Sequence, residues 1–167
     1  MHEYQTRIAT VEDAKAVSAL LVASYPELMR CAYPERELVP ALVHMTQANL
    51  TLLASGRFYV AESTDKEVIG CGGWSIERPG DRSVVPGLAH IRHFATHPQW
   101  IGRGVGRTLY RRCETDARAI GCTAFECYSS LNAEPFYASI GFARVGSLEV
   151  SMAPDVLFRS VRMRRTI

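Results

Sequence analysis

The chain of 167 residues lacks most features that would set it outside the ordinary globular class. It has no low-complexity tract, no internal repeat and no linker rich in Pro, Gly or Ser. Length and composition therefore point to one domain over residues 1–167, large enough to bury a core without staples. No apolar run approaches the ~18 residues of a membrane span. The N-terminal MHEYQTRIATVEDAKAV also lacks the charged-then-apolar layout of a signal peptide. A net charge of +2 is too small to argue for nucleic acid or an anionic membrane. The five cysteines form an odd set without a C-x-x-C, and Cys122 and Cys127 are five apart, a poor match to zinc spacing. They read as free thiols in a reducing compartment. A cytoplasmic protein with no metal, nucleic-acid partner or membrane is expected.

What the chain does have is a series of short apolar runs broken by single helical patterns. YQTRIAT reads as a strand. TVEDAKAVSALLVASY follows as an amphipathic helix, with Thr10 as N-cap and Asp13 completing a capping box. Residues 25–40 carry three prolines and no clean period, so a loop with helical pieces is expected there. ALVHMTQANL reads as a second helix, with Pro40 in its first turn. GRFYVAES, EVIGCGGWSI and LAHIRHFATH read as strands, the last stopped by Pro98. Residues 102–119 give the best helix, with Val105, Leu109, Arg112, Cys113 and Ala117 on one face. CTAFECYS reads as a strand, AEPFYASI as a short helix ended by Gly141, and FARVGSLEVSM and LFRSVRMRR as closing strands. The basic RSVRMRR is expected to be a strand with its arginines on one face. Strands interspersed with single helices make a mixed α/β domain.

The segment WIGRGVGRTLY demands a chemical reading. Gly102, Gly104 and Gly106 stand between a strand and a helix, where the first amides have no intrahelical partner. Such a terminus carries roughly half a positive charge and directs donors outward, so it suits an anion. Glycines let a phosphate approach the backbone, and Arg103 and Arg107 would add charge-assisted hydrogen bonds. A dinucleotide fingerprint would need glycine at 107 or 109, which are Arg107 and Leu109. A P-loop would need G-K-[ST], and the segment has no lysine. A tight turn without a ligand is the competing reading.

HIRHFATHPQWIGRGVGRTLY resembles the acetyl-CoA-binding segment of the GNAT superfamily of N-acetyltransferases, whose pattern is Gln or Arg, two residues, Gly, one residue, then Gly or Ala. Gly104 and Gly106 fill the glycine positions, while Ile101 departs from Gln or Arg. SSLNAEPFYASIGF resembles the later family segment of Asn, a short helix, Phe-Tyr and Gly-Phe. The resemblance covers residues 57–145 well and the flanks loosely. It implies a mixed, mostly antiparallel sheet of six or seven strands with about four helices, splayed at the pantetheine strand. It also implies transfer of the acetyl group of acetyl-CoA to a primary amine by direct attack in a ternary complex.

Site roles follow from the same resemblance. Phe94, Ala95 and Thr96 would take the pantetheine arm by strand addition. The amides from Gly102 through Arg103, Gly104, Val105 and Gly106 to Arg107 would take the pyrophosphate, with Thr108 as a hydroxyl donor. Tyr137 would protonate the leaving thiolate. Asn132 would lie near the pantetheine, or only cap the following helix. Eleven residues before Ile101, where some members carry a glutamate base, stands His90, a workable base at neutral pH. Glu77 and Glu126 are reserve candidates. Strand alternation puts His90, Arg92 and Phe94 on one face and Ile91, His93 and Ala95 on the other. Trp74 and Tyr128 are expected to pack the sheet. No cysteine falls in either motif, so no covalent intermediate is implied.

The acceptor, a small-molecule or peptide amine, would lie against residues 24–40, 78–87 and 146–158. Glu27, Glu35 and Glu37 in the first segment mildly suit a cation. Oligomeric state is open between monomer and homodimer. Rival readings are an acetyl-CoA sensor without turnover, a transferase for a longer acyl group, and a nucleotide-phosphate site.

Overall fold

Runs rich in β-branched and aromatic residues build the sheet. The computed structural model describes residues 3–167. In chain order the strands are β1 (Tyr4–Ile8), β2 (Phe58–Ser63), β3 (Val68–Ser75), β4 (Leu88–Thr96), β5 (Ala124–Ser130), β6 (Ala143–Ala153) and β7 (Val156–Thr166). They form one sheet in the order β1-β2-β3-β4-β5-β7-β6. Every neighbouring pair is antiparallel except β4 and β5, which are parallel. The helices are α1 (Ala14–Met29), α2 (Glu35–Met45), α3 (Leu50–Ala54), α4 (Val105–Ala119) and α5 (Glu134–Ser139). Among the described residues, no helix is long and apolar enough to cross a membrane.

The sheet separates two apolar layers. On one side α4 presents Val105, Leu109, Tyr110, Cys113 and Ala117 to Tyr59, Ile69, Ile91 and Phe125. On the other, α1 and α3 pack Val17, Leu20, Leu21, Leu52 and Leu53 against Phe58, Val60, Cys71 and Ala95. A third cluster seats α2 on β7 through Leu38, Ala41 and Phe158. Tyr110 takes the core position expected of Arg112. Arg112 is exposed and lies over the Tyr59 ring at 5.3 Å while it pairs with Asp116.

Several expected boundaries shift. α1 continues through Pro26 to Met29, and α2 begins six residues earlier than expected, so that Pro40 sits inside it. Each proline deletes one i→i−4 donor. Pro40 is exposed, where water serves the freed carbonyl, and the loop with helical pieces expected over residues 25–40 is helix at both ends with the connection confined to residues 30–34. α3 was not expected. It is capped by Asn49, whose Oδ1 accepts from Leu52 N at 3.1 Å. The β7 arginines divide between two faces: Arg162 pairs with Glu126, whereas Arg165 pairs with Glu114 of α4.

The entry to α1 shows how sequence becomes tertiary structure. Thr10 N donates to Asp13 Oδ2 at 2.8 Å, the reciprocal half of a capping box. A single 3-10 turn at Val11–Asp13 then leads into the helix. Arg7 on β1 bridges Asp13 at 2.7 Å and Glu62 on β2 at 2.6 Å. The Arg7 guanidinium holds both carboxyls below their ordinary range. Carboxyls depressed in the folded state contribute stability above their unfolded values near ~4, and that contribution is lost as pH falls through the folded values. Arg7→Met is expected to destabilise by about 1–2 kcal/mol at pH 7, a figure discounted because Arg7 is partly exposed. Denaturant melts at pH 7 and pH 3 check this: the difference between variant and wild type should shrink at pH 3.

Candidate active site

β4 and β5 are paired over three residues only, Leu88↔Ala124, Ala89↔Phe125 and His90↔Glu126. Beyond this point β4 keeps its partner β3 as far as Thr96, and β5 keeps β7 as far as Ser130. The two strands therefore diverge, and the β4 edge facing the gap has no strand on it.

A bulge in β4 accompanies the divergence. Cys71 pairs with Ala95 and Gly73 with Arg92, so β4 carries one residue more than β3 between these points. His93 takes a positive φ of 52° there. The extra residue resets the alternation. Ile91 and Phe94 both join the α4 layer, and Ala95 joins the α1 layer, so the faces expected for the C-terminal half of β4 are corrected. Side chains pin the bulged strand from one side: Cys71 Sγ donates to His93 O at 3.4 Å, Tyr25 Oη to Phe94 O at 3.0 Å and Ser24 Oγ to Thr96 O at 2.8 Å. On β3, a Cβ at Gly72 would stand 2.5 Å from the Phe94 ring, and one at Gly70 would stand 2.4 Å from Val105. The glycines of GCGGW thus make room for Phe94 and for the first turn of α4.

The gap opens into two cavities that share a wall. One, of about 550 Å³, runs from Phe94, Ala95 and Thr96 to the N-terminus of α4. There Gly104 is the N-cap with a φ of +80°, and Thr108 N makes its bond to Gly104 O at 2.9 Å. The amides of Val105, Gly106 and Arg107 precede that bond at the positive end of the helix. Arg107 and Asn132 complete this wall. Asn132 does not cap α5, whose N-cap is Ala133; its Oδ1 is buried and takes no partner among the described residues.

The second cavity, of about 260 Å³, lies on the other side of Phe94 and Tyr137. Pro79, Val150, Met152 and Phe158 line it, drawn from the segments expected to face the acceptor. Residues given no role in the sequence join them: His44 and Met45 from α2, and Arg92 and His93 from β4. Tyr128 also faces this cavity rather than packing the sheet core.

Tyr137 and Tyr25 border both cavities. The Tyr137 backbone is fixed by its N–H to Ala133 O at 3.2 Å and by Phe142 N to its own carbonyl at 3.0 Å. Its ring packs against Phe136 and Phe142. The hydroxyl makes no hydrogen bond among the described residues, and burial pushes it well above the ordinary phenol range. Tyr33 positions this region from a distance: its hydroxyl accepts from Leu131 N at 2.8 Å and donates to Arg159 O at 2.6 Å.

The two cavities bring together Phe94, Ala95, Thr96, Gly102, Gly104, Val105, Gly106, Arg107, Asn132 and Tyr137. Three expected site residues stand outside. Arg103 lies over Trp100 at 4.8 Å and pairs with Glu3. The Thr108 hydroxyl bonds to Tyr4 and to Gly104 O, both at 3.0 Å. His90 is only 2 % exposed, beside Glu126 at the closed end of the gap, and borders neither cavity. Glu126 is fully buried against Arg162. Burial lowers the pKa of His90, opposed by Glu126. His93, inside the second cavity, is pushed down to about 4 by burial and then by Arg92.

The sequence model of the Acetyltransferase (GNAT) family matches residues 21–142. The chain belongs to the GNAT acetyltransferase family. No curated protein matches it significantly in sequence. Among solved structures, a GCN5-related N-acetyltransferase from Rhodopseudomonas palustris is similar with a TM-score of 0.80 and 24 % identity, over 100 % of this chain and 98 % of that one. PaiA N-acetyltransferase from Thermoplasma acidophilum, in complex with coenzyme A, gives 0.74 and 14 % over 99 % and 100 %. A mosquito arylalkylamine N-acetyltransferase-like protein gives 0.66 and 15 % over 98 % and 100 %. The seven-stranded, mostly antiparallel sheet with five helices is the GNAT fold, one helix richer than expected. The chain is accordingly an acyltransferase.

In this GNAT domain the placement of Phe94 separates the cavities, and Gly72 is what permits it. Gly72→Ala should cost about 1–3 kcal/mol through overpacking, measured by denaturant unfolding. A change below ~0.5 kcal/mol would mean that the ring moves aside freely.

Proposed function

We propose that the protein moves the acetyl group of acetyl-CoA to a primary amine by direct attack in a ternary complex, with residues 1–167 acting as one catalytic unit. The observation that carries this reading is Tyr137, whose unbonded hydroxyl stands where two cavities of different chemistry meet.

The first cavity fits the donor. The open edge of β4 at Phe94–Thr96 offers backbone groups for strand addition by the amides of a pantetheine arm. The α4 N-terminus, with Gly104 and Gly106 lacking side chains and Arg107 beside them, suits a pyrophosphate. The orphaned Asn132 Oδ1 is an acceptor that a donor group of the ligand would satisfy. Acetyl-CoA supplies an activated thioester when bound.

The chain's own residues then manage protons. Tyr137 keeps its proton across the neutral range because burial disfavours the phenolate. It can donate that proton to a departing thiolate, whose solution pKa is near ~8.5. The attacking amine must also lose a proton. At a pKa near ~10.4 only about one amine in 2,500 is neutral at pH 7, equivalent to roughly 4.6 kcal/mol. The imidazoles facing the second cavity are His44 and His93, and burial makes His93 a weak base, so a proton taken there is passed on rather than held. They replace His90 as the proposed proton acceptors, with solvent beyond. The nitrogen gains the acetyl group as the C–S bond breaks, and it gives up two protons overall: one leaves to solvent before attack, and the other restores the proton that Tyr137 hands to the departing thiolate.

Five cysteines without a disulfide, four of them buried, suit the reducing cytoplasm proposed as the setting.

Calorimetric titration with acetyl-CoA, desulfo-CoA and ATP tests the donor site: both CoA species should bind and ATP should not. Tyr137→Phe should lower kcat ~10²–10⁴-fold while acetyl-CoA affinity stays within about threefold. Silence from all three ligands would overturn the transfer reading. Binding without thiol release on any amine would favour a sensor.

A further inference from the structure

Resting on the acetyl-transfer reading, we propose that the acceptor is an amine that also carries a carboxylate on an apolar body, as an apolar α-amino acid does, and that Arg92 holds the carboxylate. The argument begins with what the second cavity lacks. No aspartate or glutamate borders it, and none borders the donor cavity. The carboxylates expected to attract a cation are engaged or directed elsewhere. Glu37 takes two hydrogen bonds from Arg159 at 2.7 and 2.9 Å, Glu27 pairs with Arg30, and Glu35 is exposed. A polyamine or an aminoglycoside carries several positive charges and would find no counter-charge here.

What the cavity has is a cation. Arg92 borders it and is withdrawn from full exposure, yet it has no ion pair among the described residues; the charge of Glu77 reaches it only from beyond contact distance. Its one hydrogen bond runs from Nη1 to Ser75 Oγ at 3.0 Å. Arg57 is the other half-buried arginine without a carboxylate, and it lies over the Trp74 ring at 4.7 Å. Arg92 has no ring over which to stack. A guanidinium taken from water without a carboxylate in contact carries a desolvation cost that the more distant Glu77 returns only in part, and its planar fork is shaped for bidentate capture of a carboxylate. One guanidinium matches the charge of one such group.

The remaining wall describes the rest of the molecule. Met45, Ile91, Val150, Met152 and Phe158 give an apolar, adaptable lining. The volume of about 260 Å³ lies just below the ~300–1,000 Å³ typical of drug-sized sites, which suits an acceptor of amino-acid size. With its carboxylate on Arg92, the amine has Tyr137 on the shared wall and His93 as the next residue along β4. The two ends of the ligand thus meet different surroundings, a fixed cation for one and the side chains of Tyr137 and His93 for the other.

The test compares kcat/KM, with acetyl-CoA saturating, for apolar α-amino acids and their decarboxylated amines. Phenylalanine against phenethylamine is the first pair, and spermidine is the control. The carboxylated member should be favoured by about tenfold or more, the range of charged hydrogen bonds. Arg92→Gln should abolish that preference by slowing the amino acid and not phenethylamine, and Arg92→Lys should keep part of it. Calorimetric binding of acetyl-CoA should be unchanged in Arg92→Gln, showing that the variant is folded and the donor site intact. A preference for spermidine or phenethylamine would overturn the proposal. So would an equal loss on both members of the pair, or acetyl-CoA binding with no turnover of any carboxylated amine. Absence of acetyl-CoA binding in the wild type would instead fail the transfer reading beneath it.

Discussion

Three residues of parallel pairing between β4 and β5 set everything that the site contains. A parallel pair needs no continuation beyond what its flanking partners allow, and here each strand finds a better-registered antiparallel partner on its outer side. The bulge at His93 adds the residue that lets β4 bend away, and α1 holds it there through Ser24 and Tyr25. Had the pairing continued to Thr96, the exposed β4 edge, both cavities and the place of Tyr137 between them would all be filled by backbone hydrogen bonds. A stretch of unmade sheet is therefore the precondition of the chemistry.

The distribution of charge follows the same plan. Carboxylates are placed where they hold elements together: Asp13 and Glu62 on Arg7, Glu37 on Arg159, Glu126 on Arg162, Glu114 on Arg165. Acids are absent from the lining of the gap. What faces the gap is positive at its two ends, with Arg107 and the α4 terminus at one and Arg92 at the other. Between them stand two groups that burial keeps neutral at pH 7, the Tyr137 phenol and the His93 imidazole. Neutrality at the centre matters because proton transfer needs groups that change charge during the reaction, not groups already paired.

Much of this was legible in the sequence, and the division has a physical cause. The strand order of events, the glycine turn, α4 and the Asn132–Phe142 segment are local patterns, and they lie where the residues suggested. Thr10 and Asp13 do form the expected capping box, because such a box is local too, but it opens the 3-10 turn at Val11–Asp13, and α1 itself starts at Ala14. Pro26 and Pro40 misled, since tertiary packing of Met29, Leu38 and Ala41 outweighs the lost donors. Alternation along β4 failed at His93 because a bulge is decided by the neighbouring strand, and the glycines of β3 that admit Phe94 show their purpose only in three dimensions. His90 matched by counting, but counting cannot show that Glu126 and the closed end of the gap lie beside it.

Donor and acceptor recognition differ in kind, and this explains which half could be read. The wall proposed for the donor is mostly backbone: a free strand edge, helix amides and glycines without side chains. Such a site needs a geometry and few particular side chains, so the departure at Ile101 costs little and the pattern survives in a chain of low identity to its structural relatives. The acceptor side uses side chains from β4, β5, β6, β7, α1, α2 and the loop at Pro79. These elements are far apart in sequence, and the residues of α1, α2, β6 and β7 among them belong to neither quoted motif. Specificity built in this way can change one residue at a time while the donor machinery stays fixed. The proposed acceptor is for that reason argued from charge and shape in the folded molecule, and the feature that carries it is Arg92, which has no ion pair among the described residues and borders a cavity lined by none of their acids.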